Sequence, residues 1–548
     1  MENSFYNYPL LIKQLLISPL SSNPEQEIVD NENQRYDYKR LNTNIHTLAN
    51  ALREIGIKKG DTIGVMAWDT IRYLEFFFAI PMMGAILHTI NIRLSEQQIL
   101  YTINHADDDV LIVHHDFIEV ISRLKKNFSR PIKIILLNSN ENNLNDKNNN
   151  YTYLYEDFIK NKKSKFKFED FNENTTATKF YTTGTTGDPK GVSYSHRQLI
   201  IHTLGFIAGS SVSNFSHRFH NEDVYMPLTP MFHVHGWGFP YMATLLGVKQ
   251  VYPGRYEPKK LLDLIIQEKV TFSHCVPTIL QMLLNENKKI KYDLSKLKLI
   301  IGGSAMSKNL AEEARNHGIN VVSAYGMSET CPFLTIAQIP SEARKSSQRE
   351  LIKMRTKTGK PGPLVDLRVV DENYKDVVRD NKSTGEIIAR APWLTNGYIK
   401  DKQASNELWK GGYLHTGDVG YIDDTGSLII TDRIKDIIKS GGEWISSLQI
   451  EDIVSKCKGV KEVAAIGIKD VKWGERPIII VTKIVTENPE DMTKRIKERI
   501  SNEIKKGLLS KWAMPDKIEY VKEIEKTSVG KVNKKLLREK YKFIKTNE

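Results

Sequence analysis

The stretch YTTGTTGDPKGVSYSH at residues 181–196 is rich in residue types that bind phosphate groups. Glycines let backbone N–H groups converge on one point, the Ser and Thr hydroxyls donate hydrogen bonds, and Lys190 adds a positive charge. The pattern differs from the common nucleotide-binding loop, because Gly191 follows the lysine where that loop has Ser or Thr. We therefore predict a loop that holds a phosphate chain, and a flexible surface loop is the alternative.

Four further stretches place polar residues where packing alone would not put them. GGSAM at 302–306 ends a buried strand, and SAYGMSET at 323–330 ends the next. LHTGD at 414–418 closes a region of hairpins, and EKTSVGK at 525–531 lies near the C-terminus. Ligands of parallel sheets bind at the carboxyl ends of strands, so the first two stretches are candidate binding segments.

The alternation of strands and helices predicts an α/β fold. From Asp61 to about Thr330, short β-branched runs such as DVLIVHH alternate with amphipathic segments such as PKKLLDLIIQEK, which indicates parallel sheets covered by helices. After about Gly359 the pattern changes to antiparallel hairpins. We predict a large N-terminal domain with a β-rich subdomain (1–432) and a small α+β C-terminal domain on a hinge (433–548).

Composition excludes several classes of protein. The chain has 548 residues and three widely spaced cysteines, which predicts neither a disulfide framework nor a zinc site and favours a reducing, cytoplasmic compartment. The net charge of +12 suggests nucleic acid or anionic lipid, but no nucleic-acid signature accompanies it, and we expect no nucleic-acid partner. The apolar run from Leu74 to Ile90 is too short to span a membrane, so we predict a buried helix that runs into a strand. The N-terminus has no signal-peptide pattern, so no export is expected.

Taken together and in order, the five stretches resemble the adenylate-forming superfamily of acyl-CoA synthetases, peptide-synthetase adenylation domains and luciferases. KDIIKSGGEWISS and MFHVHGWGFPY look most like its medium- and long-chain fatty-acyl-CoA ligase branch. The resemblance implies that a carboxylate attacks the α-phosphate of ATP to give an acyl-adenylate, whose acyl group then passes to coenzyme A. It also implies Mg²⁺, a small-molecule carboxylic acid as substrate, and a homodimer.

The resemblance assigns roles to individual residues. It makes Lys531, Glu329, Ser328 and His233 catalytic, and it gives Mg²⁺ the ligands Thr185 and Glu329. The family usually has Thr where this chain has Ser328, and the hydroxyl is kept. It places Trp237 and Gly302 against the acyl group, and Lys435 at the pivot of the hinge. The expected contacts with ATP or coenzyme A are Thr182, Thr183, Gly184, Thr185, Thr186, Gly187, Lys190, Gly303, Ser304, Ala305, Tyr325, Gly326, Met327, Asp418, Arg433, Lys435, Lys439, Gly441, Gly442 and Trp444.

Several alternatives stay open at this point. An apolar acyl pocket is indicated by the aromatic residues around Trp237, which favours medium- to long-chain fatty acids over a short branched or methylthio-alkanoic acid. Two other functions are possible from the sequence: an enzyme that passes the acyl group to another acceptor, and an inactive homologue that acts as a binding protein. His233 and His235 do not predict a metal site, because no third ligand lies near them in sequence. A serine hydrolase is excluded because GGSAM lacks the second glycine of the nucleophile elbow.

Overall fold

A computed structural model gives the fold. It describes residues 6–31, 34–137, 150–182, 188–211, 217–340, 342–381, 383–441, 443–484, 487–527 and 531–543, without the side chains of residues 344 and 444. The Asn-rich insert at 139–150, predicted to be a surface loop, lies outside these residues except for its last position.

The strands of the described residues range from two to eleven residues in length. In chain order they are β1 Glu27–Asp30, β2 Arg35–Asp37, β3 Thr62–Met66, β4 Ile86–Thr89, β5 Asp108–His114, β6 Lys133–Leu137, β7 Tyr153–Leu154, β8 Thr176–Thr182, β9 Lys190–Ser195, β10 Val224–Tyr225, β11 Lys249–Tyr252, β12 Phe272–Cys275, β13 Lys298–Ile301, β14 Asn320–Gly326, β15 Phe333–Ile336, β16 Lys360–Pro361, β17 Asp366–Val370, β18 Gly385–Arg390, β19 Leu414–Ile422, β20 Leu428–Arg433, β21 Ile438–Ser440, β22 Glu443–Ile445, β23 Val460–Asp470, β24 Gly474–Lys483 and β25 Lys517–Val521.

Helices connect most of these strands. They are α1 Ile17–Ser22, α2 Tyr38–Glu54, α3 Ile71–Met82, α4 Glu96–Ala106, α5 Ile118–Leu124, α6 Tyr155–Ile159, α7 His196–Ser211, α8 Val234–Trp237, α9 Phe239–Leu246, α10 Pro258–Gln267, α11 Pro277–Ile290, α12 Lys308–Asn316, α13 Gln348–Arg355, α14 Lys402–Leu408, α15 Ser447–Ser455, α16 Pro489–Lys505 and α17 Lys534–Tyr541.

Two large sheets form the N-terminal part of the molecule. Among the described residues, one has the strand order β16-β15-β14-β13-β12-β10-β11-β1-β2 and the other has the order β7-β6-β5-β3-β4-β8-β9. Their central pairs are parallel, and antiparallel pairs occur at their edges, as in β14–β15 and β8–β9, whereas the edge strand β7 pairs with β6 in parallel. The alternation of buried strands with amphipathic helices in the sequence produces this arrangement, because each helix covers a face of a sheet. The predicted α/β fold is confirmed.

Two smaller sheets follow. The predicted hairpin region forms the antiparallel sheet β17-β18-β19-β20, and a turn with the sequence DDTG, typical of hairpins, joins β19 and β20. The C-terminal region forms a sheet with the order β22-β21-β24-β23, in which β25 pairs with β24, and α15, α16 and α17 accompany it. β20 ends at Arg433 and the next sheet begins at Ile438, on either side of the predicted pivot Lys435. The domain boundary at 432/433 stays a prediction.

The opening stretch has a strand on both sides of its first two glycines, whereas the sequence predicts a short strand only before them. Tyr181 and Thr182 end β8, and Lys190 to Ser195 form β9, which pairs with β8 in antiparallel register. Gly, Pro and Ser have low strand propensity, but pairing with a buried neighbour overrides this local preference. The sheet therefore fixes both ends of the segment that was predicted to bind phosphate.

The run from Leu74 to Ile90 has the predicted form. It comprises most of α3 and the whole of β4, and the side chains of α3 from Tyr73 to Ile80 are buried in the largest hydrophobic core. In the described part of the chain, every helix is too short or too polar to cross a membrane.

Candidate active site

A cavity of about 610 Å³ opens at the carboxyl ends of β13 and β14 and lies between the N-terminal sheets and the C-terminal region. Its volume is in the usual range for small-molecule sites. Its walls combine the two ends of the predicted phosphate loop, glycines, aromatic side chains and cationic side chains of the C-terminal region. The residues that line it include Thr182, Lys190, Phe206, His233, Val234, Trp237, Phe239, Gly302, Gly303, Tyr325, Gly326, Met327, Ser328, Glu329, Phe333, Tyr398, Arg433, Lys435, Asp436, Thr527, Lys531, Lys535 and Arg538.

One wall of the cavity carries a polar cluster built on three strands. Tyr325 in β14 donates its hydroxyl hydrogen bond to Oδ2 of Asp418 in β19 over 2.7 Å. Arg433, at the end of β20, lies with Nε 3.0 Å from Oδ1 of the same carboxylate. The Asp418 carboxylate raises the pKa of the Arg433 guanidinium, which therefore stays charged. The carboxylate is buried, and it presents acceptor oxygens beside an aromatic face.

Glu329 forms a second acidic point of the cavity. Its carboxylate is 7% exposed, and Oε1 accepts a hydrogen bond from the Tyr398 hydroxyl over 2.7 Å. The Tyr398 ring has the Lys190 ammonium 4.6 Å from its centroid, so one aromatic side chain links the carboxylate and the cation. A carboxylate has about four lone-pair sites, and Glu329 therefore keeps acceptor capacity for a hard cation such as Mg²⁺. This donor fits the metal that the sequence predicts.

Glycines bring backbone to the cavity at close range. A Cβ added at Gly326 would lie 1.5 Å from the carbonyl oxygen of Pro332, so no side chain fits between β14 and the turn that carries Glu329. Gly302 packs against Trp237 and Gly303 has φ +79°, which favours glycine. Ser304 and Ala305 follow on exposed backbone outside the cavity lining, and their contact with nucleotide stays a prediction.

Ser328 and Met327 complete the turn after β14. Both line the cavity, and the Tyr194 hydroxyl donates to the Ser328 carbonyl over 2.5 Å. The backbone N–H of Met327 donates to Oγ1 of Thr330. These bonds fix the backbone on both sides of Glu329, because the turn is held from β9 and from its own end.

The two histidines that follow Phe232 have different surroundings. His233 lines the cavity, and burial lowers its pKa to about 3, helped by Lys531 and Arg93, so its imidazole is neutral near pH 7. His235 is fully buried, and its ring lies edge-on to Phe180. The pair therefore does not converge on one point.

Trp237 ends α8, whose single turn is left-handed and is therefore not a regular α-helix. Val234 to Gly238 all have positive φ, between 48° and 76°. Left-handed conformation disfavours each residue other than glycine by roughly 1–2 kcal/mol, and such strain collects at functional sites. The turn places the Trp237 ring in the cavity wall, 5.1 Å from the His274 ring and against Gly302.

Lys531 reaches this cavity from the C-terminal region. A Cβ on Gly303 would lie 3.4 Å from Cε of Lys531. The backbone of the lysine is fixed to Thr527, because the Thr527 N–H donates to its carbonyl and its own N–H donates to Oγ1 of Thr527. Burial lowers the pKa of the ammonium to about 8, and nearby Arg433 adds to this, while Asp418 and Glu329 oppose it. The cation thus faces the acidic points of the N-terminal walls.

The predicted phosphate loop is described at its two ends. Thr182 and Lys190 are paired across β8 and β9, and both line the cavity. Thr183, Gly184, Thr185, Thr186 and Gly187, which were predicted to bind phosphate and to ligate the metal, lie outside the described residues.

The predicted hinge divides into residues near the cavity and residues away from it. Lys435 lines the cavity, whereas Lys439 is exposed in β21 and absent from the described lining. Gly441 has φ +60°, and a Cβ there would lie 2.4 Å from the Trp512 ring. Gly442 and the side chain of Trp444 lie outside the described part of the chain. A contact of this turn with substrate stays a prediction.

Sequence reasoning missed several residues of the cavity, among them Tyr398, Asp436 and Arg538. Tyr398 follows the Asn-Gly step of LTNGY, which indicated a hairpin turn and no ligand. Asp436 and Arg538 form an ion pair of 2.5 Å that ties the hinge to α17. Asp436 could have been found from the sequence, because it lies next to the predicted pivot Lys435. Its partner Arg538 lies about a hundred positions further along the chain, and no motif there indicated a role.

Comparisons with known proteins agree with this arrangement. A family model described as "AMP-binding enzyme" matches residues 20–399, and one described as "AMP-binding enzyme C-terminal domain" matches residues 449–531. A long-chain-fatty-acid–CoA ligase of Thermus thermophilus is 36% identical over 515 residues, 93% of this chain and 90% of that protein. A 3-methylmercaptopropionyl-CoA ligase of Ruegeria lacuscaerulensis is 34% identical and covers 99% of both chains.

A solved structure shows the same fold. The crystal structure of an anthranilate CoA ligase in complex with anthranoyl-AMP superposes with a TM-score of 0.85 and covers 98% of both chains. Its sequence identity is 21%, so this likeness concerns the fold alone.

Proposed function

Because this chain belongs to the AMP-binding enzyme family and is an acid–thiol ligase, we propose that it activates an apolar carboxylic acid and that this acid is a medium- to long-chain fatty acid. The observation that carries the proposal is that Lys531 and Glu329 line one cavity with Tyr325 and Arg433, the two residues that hold the buried Asp418 carboxylate, and that aromatic side chains line the same cavity. The substrates are ATP, the acid and coenzyme A, and the products are AMP, pyrophosphate and the thioester.

The proposed first step joins the acid to the α-phosphorus of ATP. A carboxylate oxygen attacks this phosphorus, and pyrophosphate leaves. Lys531 stabilises the negative charge that develops on the α-phosphate, since its ammonium faces the cavity from the C-terminal loop. The neutral imidazole of His233 positions the incoming carboxylate as a hydrogen-bond donor without binding it as a counterion.

The nucleotide is held by the walls described above. Asp418 accepts from the ribose hydroxyls, Tyr325 packs on adenine, and Lys190 contacts the outer phosphates together with Thr182. Glu329 is the described residue that would hold Mg²⁺, with the hydroxyl of Ser328 beside the α-phosphate. When bound, the metal would neutralise phosphate charge.

The proposed second step transfers the acyl group to the thiol of coenzyme A. The thiol sulfur attacks the adenylate carbonyl carbon, and AMP leaves with the bridging oxygen. The family resemblance motivates a rotation of the C-terminal region about Lys435, which would bring the turn at Gly441 into the place of Lys531. Lys531 now lies in the cavity and Lys439 outside its described lining, so the present geometry suits the first step.

The acid is the open point of the proposal. Phe206, Trp237, Phe239 and Phe333 make the acyl end apolar, which supports a hydrocarbon chain. A short apolar acid is the second candidate, favoured by the 3-methylmercaptopropionyl-CoA ligase that matches over 99% of both chains. The test is coenzyme A-dependent AMP release with straight-chain acids from propionate to palmitate and with 3-methylthiopropionate, compared by kcat/KM. An optimum at the shortest acids would replace the first candidate by the second, and release with none would contradict ligase activity on apolar acids.

The charge of Lys531 predicts a pH dependence of adenylate formation. Its lowered pKa of about 8 means that the free enzyme carries the ammonium below that pH and loses it above. We therefore expect kcat/KM for ATP to fall about tenfold per pH unit above roughly pH 8, since this parameter reports ionisations of the free enzyme. In Lys531→Arg the guanidinium stays charged, and the basic limb should move beyond the measured range. If wild type and Lys531→Arg lose activity over the same range of high pH, the ionisation of Lys531 is not the cause of the pH dependence.

The hydrogen bond from Tyr398 to Glu329 predicts a metal-dependent defect in Tyr398→Phe. The ring that contacts Lys190 is kept, but the carboxylate loses a donor worth roughly 1.5–3 kcal/mol. We expect roughly a 10- to 100-fold fall in kcat/KM for ATP, with a higher Mg²⁺ concentration needed for half-maximal rate. Tyr413→Phe is the matched control, because Tyr413 donates to the carboxylate of Asp366 at the exposed surface. An unchanged Mg²⁺ requirement in Tyr398→Phe would show that the bond does not tune the metal ligand.

A further inference from the structure

A second cavity adjoins the apolar end of the first. It has a volume of about 170 Å³, and Phe206 and Phe333 line both cavities. Its other described walls are Gly209 and Ser210 of α7, Ile336 and Gln338 at and after the end of β15, and the segment 361–363. Two aromatic side chains therefore separate the acyl end of the active site from additional space.

The two rings form a close-packed pair. Their centroids are 5.1 Å apart at an interplanar angle of 77°, and Phe206 also meets Phe239 edge-on at 5.0 Å. Phe206 and Phe333 are both buried. Edge-to-face pairs of this kind are favourable beyond the area they bury, so the rings hold each other in place.

The backbone around Phe333 is adapted to its ring. A Cβ on Gly362 would lie 2.5 Å from Cε1 of Phe333, so the ring occupies space that only a glycine leaves. The indole N–H of Trp393 donates to the Phe333 carbonyl over 3.1 Å. The ring has little freedom to swing away, because both its edge and its backbone are fixed.

The walls of the second cavity include polar side chains as well as apolar ones. Ser210 and Gln338 supply polar groups there, and Gly209 allows Pro363 to approach α7 closely, since an added Cβ would lie 2.8 Å from Cδ of that proline. The main cavity must also hold the nucleotide, so only part of its 610 Å³ serves the acyl chain. Space beyond the ring pair would thus matter for long acids.

We propose that the Phe206–Phe333 pair is the end wall of the acyl site and sets an upper limit to chain length. This inference rests on the proposed function and sharpens it to acids whose hydrocarbon chain stops at the wall, shorter than palmitate. A longer chain would have to displace a packed ring, whereas each methylene that fits before the wall adds about a fourfold gain in affinity.

The test opens the wall and then refills the space behind it. Phe333→Ala joins the two cavities, and Phe333→Leu opens them less and serves where the alanine variant does not fold. Ser210→Leu fills the second cavity from α7, where Ser210 is buried and its hydroxyl bonds only within the helix among the described contacts. The readout is kcat/KM for straight-chain acids from hexanoate to palmitate, together with the Kd of the matching acyl-sulfamoyl adenosines, which mimic the adenylate without turnover.

We expect the optimum of the wild type to be shorter than palmitate and that of Phe333→Ala to move to longer acids. Ser210→Leu alone should leave the optimum unchanged, and the double variant should return it toward that of the wild type. If the optimal chain length is unchanged in both folded Phe333 variants, the two rings are not the end wall of the acyl site. If Ser210→Leu alone shortens the optimal chain length, the proposal is also refuted, because acyl chains would then reach the second cavity in the wild type.

The two readouts separate the wall from the proposed function. If the acyl-sulfamoyl adenosines follow the expected pattern while no thioester forms, the ligase proposal fails and the wall stands. If thioesters form but neither readout responds to Phe333, the wall fails and the ligase proposal stands. If the Kd of the acyl-sulfamoyl adenosines does not depend on chain length, the proposed end wall is refuted, whether or not the protein forms thioesters.

Discussion

Lys531→Ala should slow acyl-adenylate formation by roughly 10²- to 10³-fold, the usual effect of removing one donor aimed at a transition state. The Lys531 ammonium faces the cavity that Glu329 and Arg433 also line. Among the described side chains nearest to Gly303, that of Lys531 carries the positive charge. The measurement is acid-dependent exchange of labelled pyrophosphate into ATP. Lys522→Ala, an exposed lysine of the same region, is the control and should exchange at the wild-type rate.

The same variant should affect the second step much less. Synthetic acyl-adenylate supplied with coenzyme A bypasses the attack on the α-phosphate, so single-turnover thioester formation should keep most of its wild-type rate. Equal losses in both steps would contradict a role confined to adenylation. Near-normal exchange would show that Lys531 is an ordinary surface lysine despite its place in the cavity.

Asp418→Asn should remove the recognition of the ribose. The carboxylate accepts from Tyr325 and pairs with Arg433, and both of these neighbours line the cavity. Hydrogen bonds to a charged group are worth roughly 1.5–3 kcal/mol, so we expect kcat/KM for ATP to fall roughly 10- to 100-fold or more. The asparagine keeps the shape of the side chain, which limits the change to its charge and one acceptor.

Comparison of ATP with 2′-deoxy-ATP makes this prediction specific. The wild type should prefer ATP by roughly 10-fold or more, since the analogue lacks a donor for Asp418. Asp418→Asn should lose most of this preference, because the partner of the missing hydroxyl is already weakened. Tyr325→Phe, which removes a neighbouring donor and keeps the carboxylate, should retain it. A preference that is equal in the wild type and Asp418→Asn would exclude ribose binding at this residue.

The sequence was informative where local pattern and site coincide. The glycine-rich segments after β13 and β14 lie at the cavity because polar residues that directly follow a buried strand must lie at its carboxyl end. Lys531 was found through its motif alone, since the surrounding tail is rich in lysine. The strand β9 was missed, because its Gly and Ser content favours a loop until it pairs with β8.

Contacts between distant segments could not be predicted. Phe206 and Phe333 are ordinary apolar positions of a helix and a strand, and only the fold brings their rings together. Tyr398 bonds Glu329 across 69 positions, and its sequence context indicated only a turn. Such pairs depend on how the elements pack, which periodicity and propensity do not contain.

The central claim is that the acid is activated as an acyl-adenylate before it meets the thiol, and isotope transfer tests it most directly. The acid is labelled with ¹⁸O in both carboxylate oxygens and converted with ATP and coenzyme A. We predict that each AMP released carries one labelled oxygen on its phosphate, because the attacking carboxylate oxygen becomes the bridging oxygen and leaves with AMP. AMP without label, formed together with the thioester, would contradict the account.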